Sequence, residues 1–102
     1  MFTGEKYLTA GVDRTVPFVL QMFLWECITN ITVEKDYLQI FCLSSNEKGQ
    51  QVIEHSQERP EYKEIYILDV PFSAIHTKLY VIDDYFEAED RHVATMLLAE
   101  EY

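Results

Sequence analysis

PFVLQMFLWECITN, residues 17–30, is the stretch that decides the fold, because its length and residue types are those of a helix. Pro17 suits the first helical position, since its missing N–H group would have no helical partner there. We therefore predict a helix over residues 17–31. A helix this apolar has to lie against a core or against a partner, and a chain of 102 residues offers little core.

A helical wheel at about 100° per residue gives this helix two different faces. The first is apolar and is expected to pack on a sheet: Val19, Leu20, Phe23, Leu24, Cys27, Ile28 and Ile31. The second is mixed: Phe18, Gln21, Met22, Trp25, Glu26 and Thr29. Large apolar side chains beside polar ones are typical of protein interfaces. We predict that Phe18, Met22, Trp25 and Glu26 bind a partner; the alternative is that the chain ends or a long loop cover Phe18 and Trp25.

The rest of the chain has the alternation and residue types of β-strands. The predicted strands are residues 6–13, 35–45, 50–57, 62–70, 76–84 and 92–102, with a hairpin turn at 46–49 and a turn or short connection at 71–75. For residues 92–102 the alternative is a short helix, because Ala, Met and Leu also favour helices. In the fourth of these, Tyr62, Glu64, Tyr66 and Leu68 should face one way and Lys63, Ile65 and Ile67 the other. We predict a single α+β domain over residues 1–102, with one N-terminal helix packed on an antiparallel sheet of about five or six strands joined by hairpins.

Composition narrows the possible partners and compartments. The net charge is −10, from 18 acidic and 8 basic residues, and such a field repels phosphate, so direct nucleic-acid binding is not expected. No segment approaches the roughly 20 apolar residues that span a bilayer, and the first residues lack a secretory signal pattern, so we expect a cytoplasmic protein without membrane contact. Cys27 and Cys42 lie in apolar segments and are interpreted as small buried hydrophobes.

The acidic residues are concentrated near the C-terminus. Between Asp83 and Tyr102 there are seven acidic residues and one arginine. The acidic patch is Asp83, Asp84, Glu87, Glu89, Asp90, Glu100 and Glu101. One hypothesis is that these carboxylates imitate phosphates, so that the protein is a DNA mimic that blocks a DNA-binding protein; the alternative is a solvated, solubilising surface.

Patterns for catalysis or metal binding are weak. The run Ile82–His92 has oxygen donors and an imidazole but no glycine, so it does not match a calcium loop, and the three histidines do not form a spaced ligand set. Glu61 and Lys63 form an E-x-K pair that, with Asp36, would suit a metal-dependent nuclease, although the acidic surface is wrong for DNA. We predict no catalytic residues, no metal site and no cofactor.

Several strings together resemble a known family. PFVLQMFLWECI, KDYLQIF, HSQERPEYK, KLYVIDD and TMLLAEEY are similar to the domain of unknown function 960 family of small proteins from staphylococci, related Gram-positive bacteria and their phages. The resemblance implies no reaction, but it implies an accessory or counter-defence role in a mobile genetic element.

The two most distinctive strings contain candidate site residues. Asp83 and Asp84 with His92, and His55 with Gln57, Pro60, Glu61 and Tyr62, would meet if the hairpins stack their ends; alternatively they form turns and close loops. The leading hypothesis is a non-enzymatic protein-protein interaction module of a mobile element, which binds a protein partner or a second copy of itself through the mixed helix face.

Overall fold

Six strands form one mixed sheet in the computed structural model, which describes residues 1–102. In chain order, the elements are β1 (Glu5–Leu8), α1 (Ala10–Thr15), α2 (Phe18–Thr29), β2 (Leu38–Ser45), β3 (Gln51–Gln57), β4 (Tyr62–Leu68), β5 (Thr77–Phe86) and β6 (Arg91–Leu98). Short 3₁₀ turns follow β5 at Glu87–Glu89 and β6 at Ala99–Glu101. The sheet order is β1-β6-β5-β2-β3-β4. The predicted α+β class is thus confirmed.

The direction of β1 corrects the prediction of a wholly antiparallel sheet. The pairs among β2, β3, β4, β5 and β6 are all antiparallel, whereas β1 lies parallel to β6 at the edge. Hairpins force neighbouring strands to be antiparallel, but β1 and β6 are at opposite ends of the chain, so no hairpin fixes their relative direction. The mixed sheet follows from this long-range pairing.

A second helix replaces part of the strand predicted at residues 6–13. β1 ends at Leu8, and Thr9 caps α1 by accepting a hydrogen bond from the Val12 N–H at 3.2 Å. The prediction of a single helix was therefore wrong, because a cap at Thr9 stops the strand after four residues. No helix is long and apolar enough to cross a membrane.

The predicted helix is found as α2, but it is shorter than residues 17–31: Pro17 is the N-cap instead of the first helical residue, and the helix ends at Thr29. Two positions on the wheel were also misplaced. Leu20, Leu24 and Ile28 are buried as expected. Val19, however, is 62% exposed, while Gln21 is only 4% exposed. Gln21 donates from Nε2 to the Val16 carbonyl at 2.8 Å and so satisfies a backbone group between the two helices. This local hydrogen bond turns a polar residue inward, which hydrophobic periodicity does not predict.

Burial alternates along the strands, which shows that only one face of the sheet is covered. Every second residue of β3 is buried and the others are half-buried, and β2, β5 and β6 show the same alternation over most of their lengths. The buried side chains pack under α1 and α2. The other side, which we call the open face, includes Leu38, Ile40, Cys42, Val52, Glu54, Ile65, Ile67, Lys78, Tyr80, Ile82, Thr95 and Leu97.

The C-terminal prediction is confirmed through Leu98 and fails after it. Residues Ala99–Glu101 form a 3₁₀ turn instead of extending the strand. The Glu101 Oε1 atom accepts hydrogen bonds from the Thr9 hydroxyl at 2.7 Å and from the Leu98 N–H at 2.8 Å, which ties this turn to the cap of α1. These hydrogen bonds lower the pKa of Glu101.

A series of hydrogen-bonded, buried amide side chains at one end of the sheet fixes the loop before β2. The Gln57 Oε1 atom accepts from the Asp36 N–H at 3.0 Å and from Gln39 Nε2 at 2.8 Å. The Gln57 Nε2 atom donates to the carbonyls of Glu34 and Pro60, each at 2.8 Å. Because a backbone N–H can only donate, the Asp36 contact sets the orientation of the Gln57 amide and then that of Gln39.

The same series of hydrogen-bonded amides fixes the tautomer of a buried histidine. Gln39 presents its Oε1 to His55 Nε2 at 2.7 Å, so the proton lies on Nε2. His55 is fully buried, stacked on Phe41 and edge-on to Tyr62, and its Nδ1 has no hydrogen-bond partner. A second proton would leave a charge in this apolar site, and burial accordingly lowers the pKa of His55 to about 4. The HSQ string therefore closes loops, as one of the two interpretations expected.

Acidification should destabilise the protein through His55. The folded protein keeps this imidazole neutral down to about pH 4, whereas the unfolded chain binds the proton near pH 6.5. The stabilisation is complete above pH 6.5 and is lost as the pH falls from 6.5 towards 4, by about 3 kcal/mol in total. Urea unfolding followed by tryptophan fluorescence between pH 4 and pH 7.5 measures this loss.

A matched pair of variants assigns the effect. His55→Gln should be less stable at pH 7 but should lose this part of the pH dependence, whereas His76→Gln should keep it because His76 is exposed. An unchanged pH dependence in His55→Gln would contradict the assignment to His55.

Gly4 is expected to be intolerant of any side chain. A Cβ atom at this position would lie 1.9 Å from the His92 carbonyl oxygen, in the backbone of β6. Gly4→Ala should therefore lower the free energy of unfolding by about 3 kcal/mol through overpacking. Thr3→Ala, at the exposed neighbouring position, should change it by less than about 0.5 kcal/mol. Equal urea midpoints for the two variants would show that β1 and β6 are less closely packed than described.

Candidate functional site

A groove of about 470 Å³ runs between α2 and the segment that follows β4. We call it the α2 groove. Its lining residues are Val19, Leu20, Met22, Phe23 and Glu26 from α2, and Leu68, Asp69, Val70 and Pro71 from the end of β4 onward. Six of the nine are hydrophobic. The groove is thus an apolar trough with a carboxylate from each side.

The position of β4 at the edge of the sheet creates this groove. The Phe23 ring packs edge-on against Tyr66, with centroids 5.3 Å apart and an interplanar angle of 85°. This contact holds α2 over β4 at the core side. No further strand lies beyond β4, so the outer flank of the helix has no neighbour from the sheet.

Apolar side chains at and beside the groove are in solvent. Phe18 is 73% exposed, Val19 62% and Met22 54%. One exposed apolar residue is common on a protein surface, but three within one helical turn and next to an apolar trough form a contiguous patch. Such patches are typical of binding surfaces.

The four residues that were predicted to bind a partner do not all lie at the α2 groove. Met22 and Glu26 line the α2 groove, and Phe18 is exposed nearby on the same helix. Trp25 is half-buried, packs against the core and lies away from the groove, with the Lys6 Nζ atom 5.9 Å from its ring centre. Its side chain therefore does not line the groove, although Phe18, seven residues earlier, lies on the same side of the helix.

Sequence reasoning missed Val19 and residues 68–71. Val19 is on the predicted core face of the wheel, and residues 68–70 fall within the fourth predicted strand, with Pro71 directly after it. One signal was available: apolar Val70 stands next to Pro71 at the end of the predicted strand. An apolar residue in a turn needs a neighbour from elsewhere in the fold. Only the packing of α2 over β4 brings this turn to the helix.

Asp83 and His92 form a hydrogen-bonded pair within one of the two family strings, which is a different contact from the predicted meeting of the two strings. The Asp83 Oδ2 atom accepts from His92 Nδ1 at 2.6 Å, and Oδ1 accepts from the Phe2 N–H at 3.1 Å. Asp83 is buried and Phe2 packs into the core, whereas Asp84 is exposed. The pair therefore anchors the N-terminal segment to the β5–β6 hairpin, and no hydrogen bond joins it to the His55 network.

The acidic patch is not one continuous surface. Asp83 is bonded as described, Glu89 pairs with Arg91 at 3.4 Å and Asp90 accepts from the Tyr85 hydroxyl at 2.7 Å. Glu87 to Asp90 lie at the tip of the β5–β6 hairpin, whereas Glu100 and Glu101 follow the far end of β6. Eight strand residues separate the two groups by about 25 Å. The seven carboxylates therefore do not form one row, and the DNA-mimic hypothesis stays a prediction.

The residues of the alternative nuclease motif lie in different surroundings. The Asp36 carboxylate accepts from the Arg59 N–H at 3.0 Å. Glu61 is exposed before β4 and Lys63 extends from β4 on the side of the open face. No ion pair joins Lys63 to either carboxylate, and no group of three or more His, Cys, Asp or Glu side chains is arranged to hold a metal ion.

Comparison with solved structures supports the fold. A crystal structure of a protein of unknown function from Enterococcus faecalis superposes with a TM-score of 0.80 at 23% sequence identity, over 97% of this chain and 91% of that one. Identity this low shows a shared fold alone. A comparison with curated proteins finds no match.

Comparison with protein families gives a single assignment. The family described as "Staphylococcal protein of unknown function (DUF960)" matches residues 5–101, from the first residue of β1 to the last 3₁₀ turn. The match includes both helices and all six strands, as the resemblance of the sequence strings predicted. The chain therefore belongs to the DUF960 family.

Proposed function

We propose that this protein is a non-enzymatic protein-binding module whose α2 groove holds an apolar segment flanked by basic residues. The observation that carries the proposal is the exposed patch of Phe18, Val19 and Met22 beside an apolar trough with acids on both sides. The resemblance to the family implies an accessory role in a mobile element, so we include a partner from such an element in the proposal.

Apolar burial would supply most of the binding energy. Each exposed apolar side chain that a partner covers contributes about 25 cal/mol per Å² removed from water. Met22 lies between Val19 and Glu26 on the groove side of α2. Its unbranched thioether adapts to differently shaped ligand side chains. The groove is therefore suited to two or three large apolar residues from one short segment.

The charged residues of the groove indicate which residues should flank the apolar segment of the partner. Glu26 and Asp69 line the groove from its two sides, and both are exposed. Asp69 accepts one hydrogen bond from Gln50 Nε2 at 2.8 Å, which fixes its carboxylate in place. With a net charge of −10, the whole protein attracts basic segments and repels acidic ones. Lys or Arg on either side of the apolar residues would complement this arrangement.

Panning a random dodecapeptide library on the immobilised protein tests the proposal without knowledge of the natural partner. The enriched peptides should share two or three large apolar residues flanked by Lys or Arg. Their amide shift changes in NMR spectra should map to α2 and residues 68–71. Val19→Glu and Met22→Glu should each weaken binding at least about ten-fold, because a carboxylate in an apolar contact is left without a partner.

Two controls separate groove binding from simple charge attraction. Thr29→Glu introduces the same charge at an exposed position of α2 outside the groove and should bind within about three-fold of the native protein. Glu26→Lys should weaken the binding of peptides with flanking Lys or Arg. Peptides that bind Met22→Glu as tightly as the native protein, or a selection without a shared pattern, would refute the proposal.

A further inference from the structure

The open face of the sheet is a second apolar surface, on the side opposite the helices. Its central side chains are half-buried, mostly by their strand neighbours, and the Tyr102 ring lies edge-on against Tyr80 with centroids 5.5 Å apart. At its edge Ile65 and Ile67 are each 56% exposed. Aliphatic and aromatic residues continue across β6, β5, β2, β3 and β4: Leu97, Tyr80, Ile82, Ile40, Leu38, Val52, Ile65 and Ile67. No segment of the chain forms a layer on this side.

The size of the open face matches what a stable dimer needs. Five strands about 4.8 Å apart, each with about eight residues at 3.3 Å, give roughly 600 Å² of surface. Covering this area on two copies would remove about 1,200 Å² in total from water, at the lower end of the range for specific interfaces. The surface is therefore large enough for a second copy of the chain.

Two charged residues at the centre of the open face are arranged so that a second copy can pair with them. Cys42 on β2 is paired in register with Lys78 on β5 and with Glu54 on β3. These three side chains form one row across the sheet, with a positive group on one side of Cys42 and a negative group on the other. A rotation about the line of β2 exchanges the two sides and places Lys78 opposite Glu54.

We propose that two copies of this chain pack open face to open face about a two-fold axis that runs along β2. The axis places Cys42 and Ile40 opposite their own copies, and Tyr80 opposite Ser56, which is the register partner of Ile40 on β3. Lys78 and Glu54 form two equivalent ion pairs on either side of Cys42. The result is an aligned sandwich of two six-stranded sheets, with both pairs of helices outside.

A two-fold axis perpendicular to the strands could also lie in the plane of the interface, but the register of the charged residues argues against it. An axis perpendicular to the strands and through the Cys42 row would place Lys78 opposite Lys78 and Glu54 opposite Glu54. Like charges brought together in a desolvated interface are strongly unfavourable. The strand-parallel axis is therefore the one that the charges favour.

Charge reversal tests this pairing directly. Sedimentation equilibrium of the native protein should give twice the chain mass of 12.0 kDa. Lys78→Glu and Glu54→Lys should each raise the dimer dissociation constant at least about ten-fold, because each places like charges across the interface. The double variant restores opposite charges and should return the constant to within about three-fold of the native value. Lys48→Glu, in the β2–β3 turn, makes the same charge change away from the face and should have no effect.

Cross-linking gives a readout that does not depend on charge. Aligned sheets pack about 10 Å apart, so a short bismaleimide should join Cys42 to the Cys42 of the second copy. Cys27 is buried and should not react, and Cys42→Ser should abolish the product. A native protein that is monomeric and not cross-linked would overturn the proposal, as would a double variant as weak as the single ones. Dimerisation unchanged in Met22→Glu would show that this surface is separate from the α2 groove.

Discussion

A six-stranded sheet has two faces, and the two helices of this chain cover only one of them. α1 and α2, with six and twelve residues, lie on the same side. The regular alternation along β3 shows the consequence, since each residue that points under the helices is buried and each one that points away is half-buried. The core, the α2 groove and the open face all depend on this one-sided arrangement.

Buried polar side chains at one end of the sheet hold the loops in place. Gln57 and Gln39 bind the loop before β2 and orient His55, and Asp83 holds the N-terminal segment through the Phe2 N–H. A buried polar group without a partner costs about 1–3 kcal/mol, so these loops have little freedom to move away from their partners. The polar residues of the family strings that make these hydrogen bonds therefore serve the fold.

The two proposed binding surfaces lie on opposite sides of the sheet. In the proposed dimer the open faces meet, so both α2 grooves point outward and remain accessible. Such a dimer would present two identical grooves to a partner. Two linked sites bind a repeated or dimeric partner more tightly than one site does, without any new contact. The acidic surface would add attraction for basic partners at both grooves.

The sequence by itself determined the α+β class, the helix over residues 18–29, most strand positions and the facing of β4, because these follow from local periodicity and turn chemistry. It also carried the family strings. Only the tertiary structure decided that β1 pairs in parallel with β6, that α1 replaces the end of a predicted strand, and that Gln21 is buried while Val19 is exposed. It also decided that Val19 and Pro71 share a groove, while Trp25 lies elsewhere. The physical reason is that these features depend on contacts between residues far apart in the chain, whereas the periodicity of a segment reports only which of its own residues share a face.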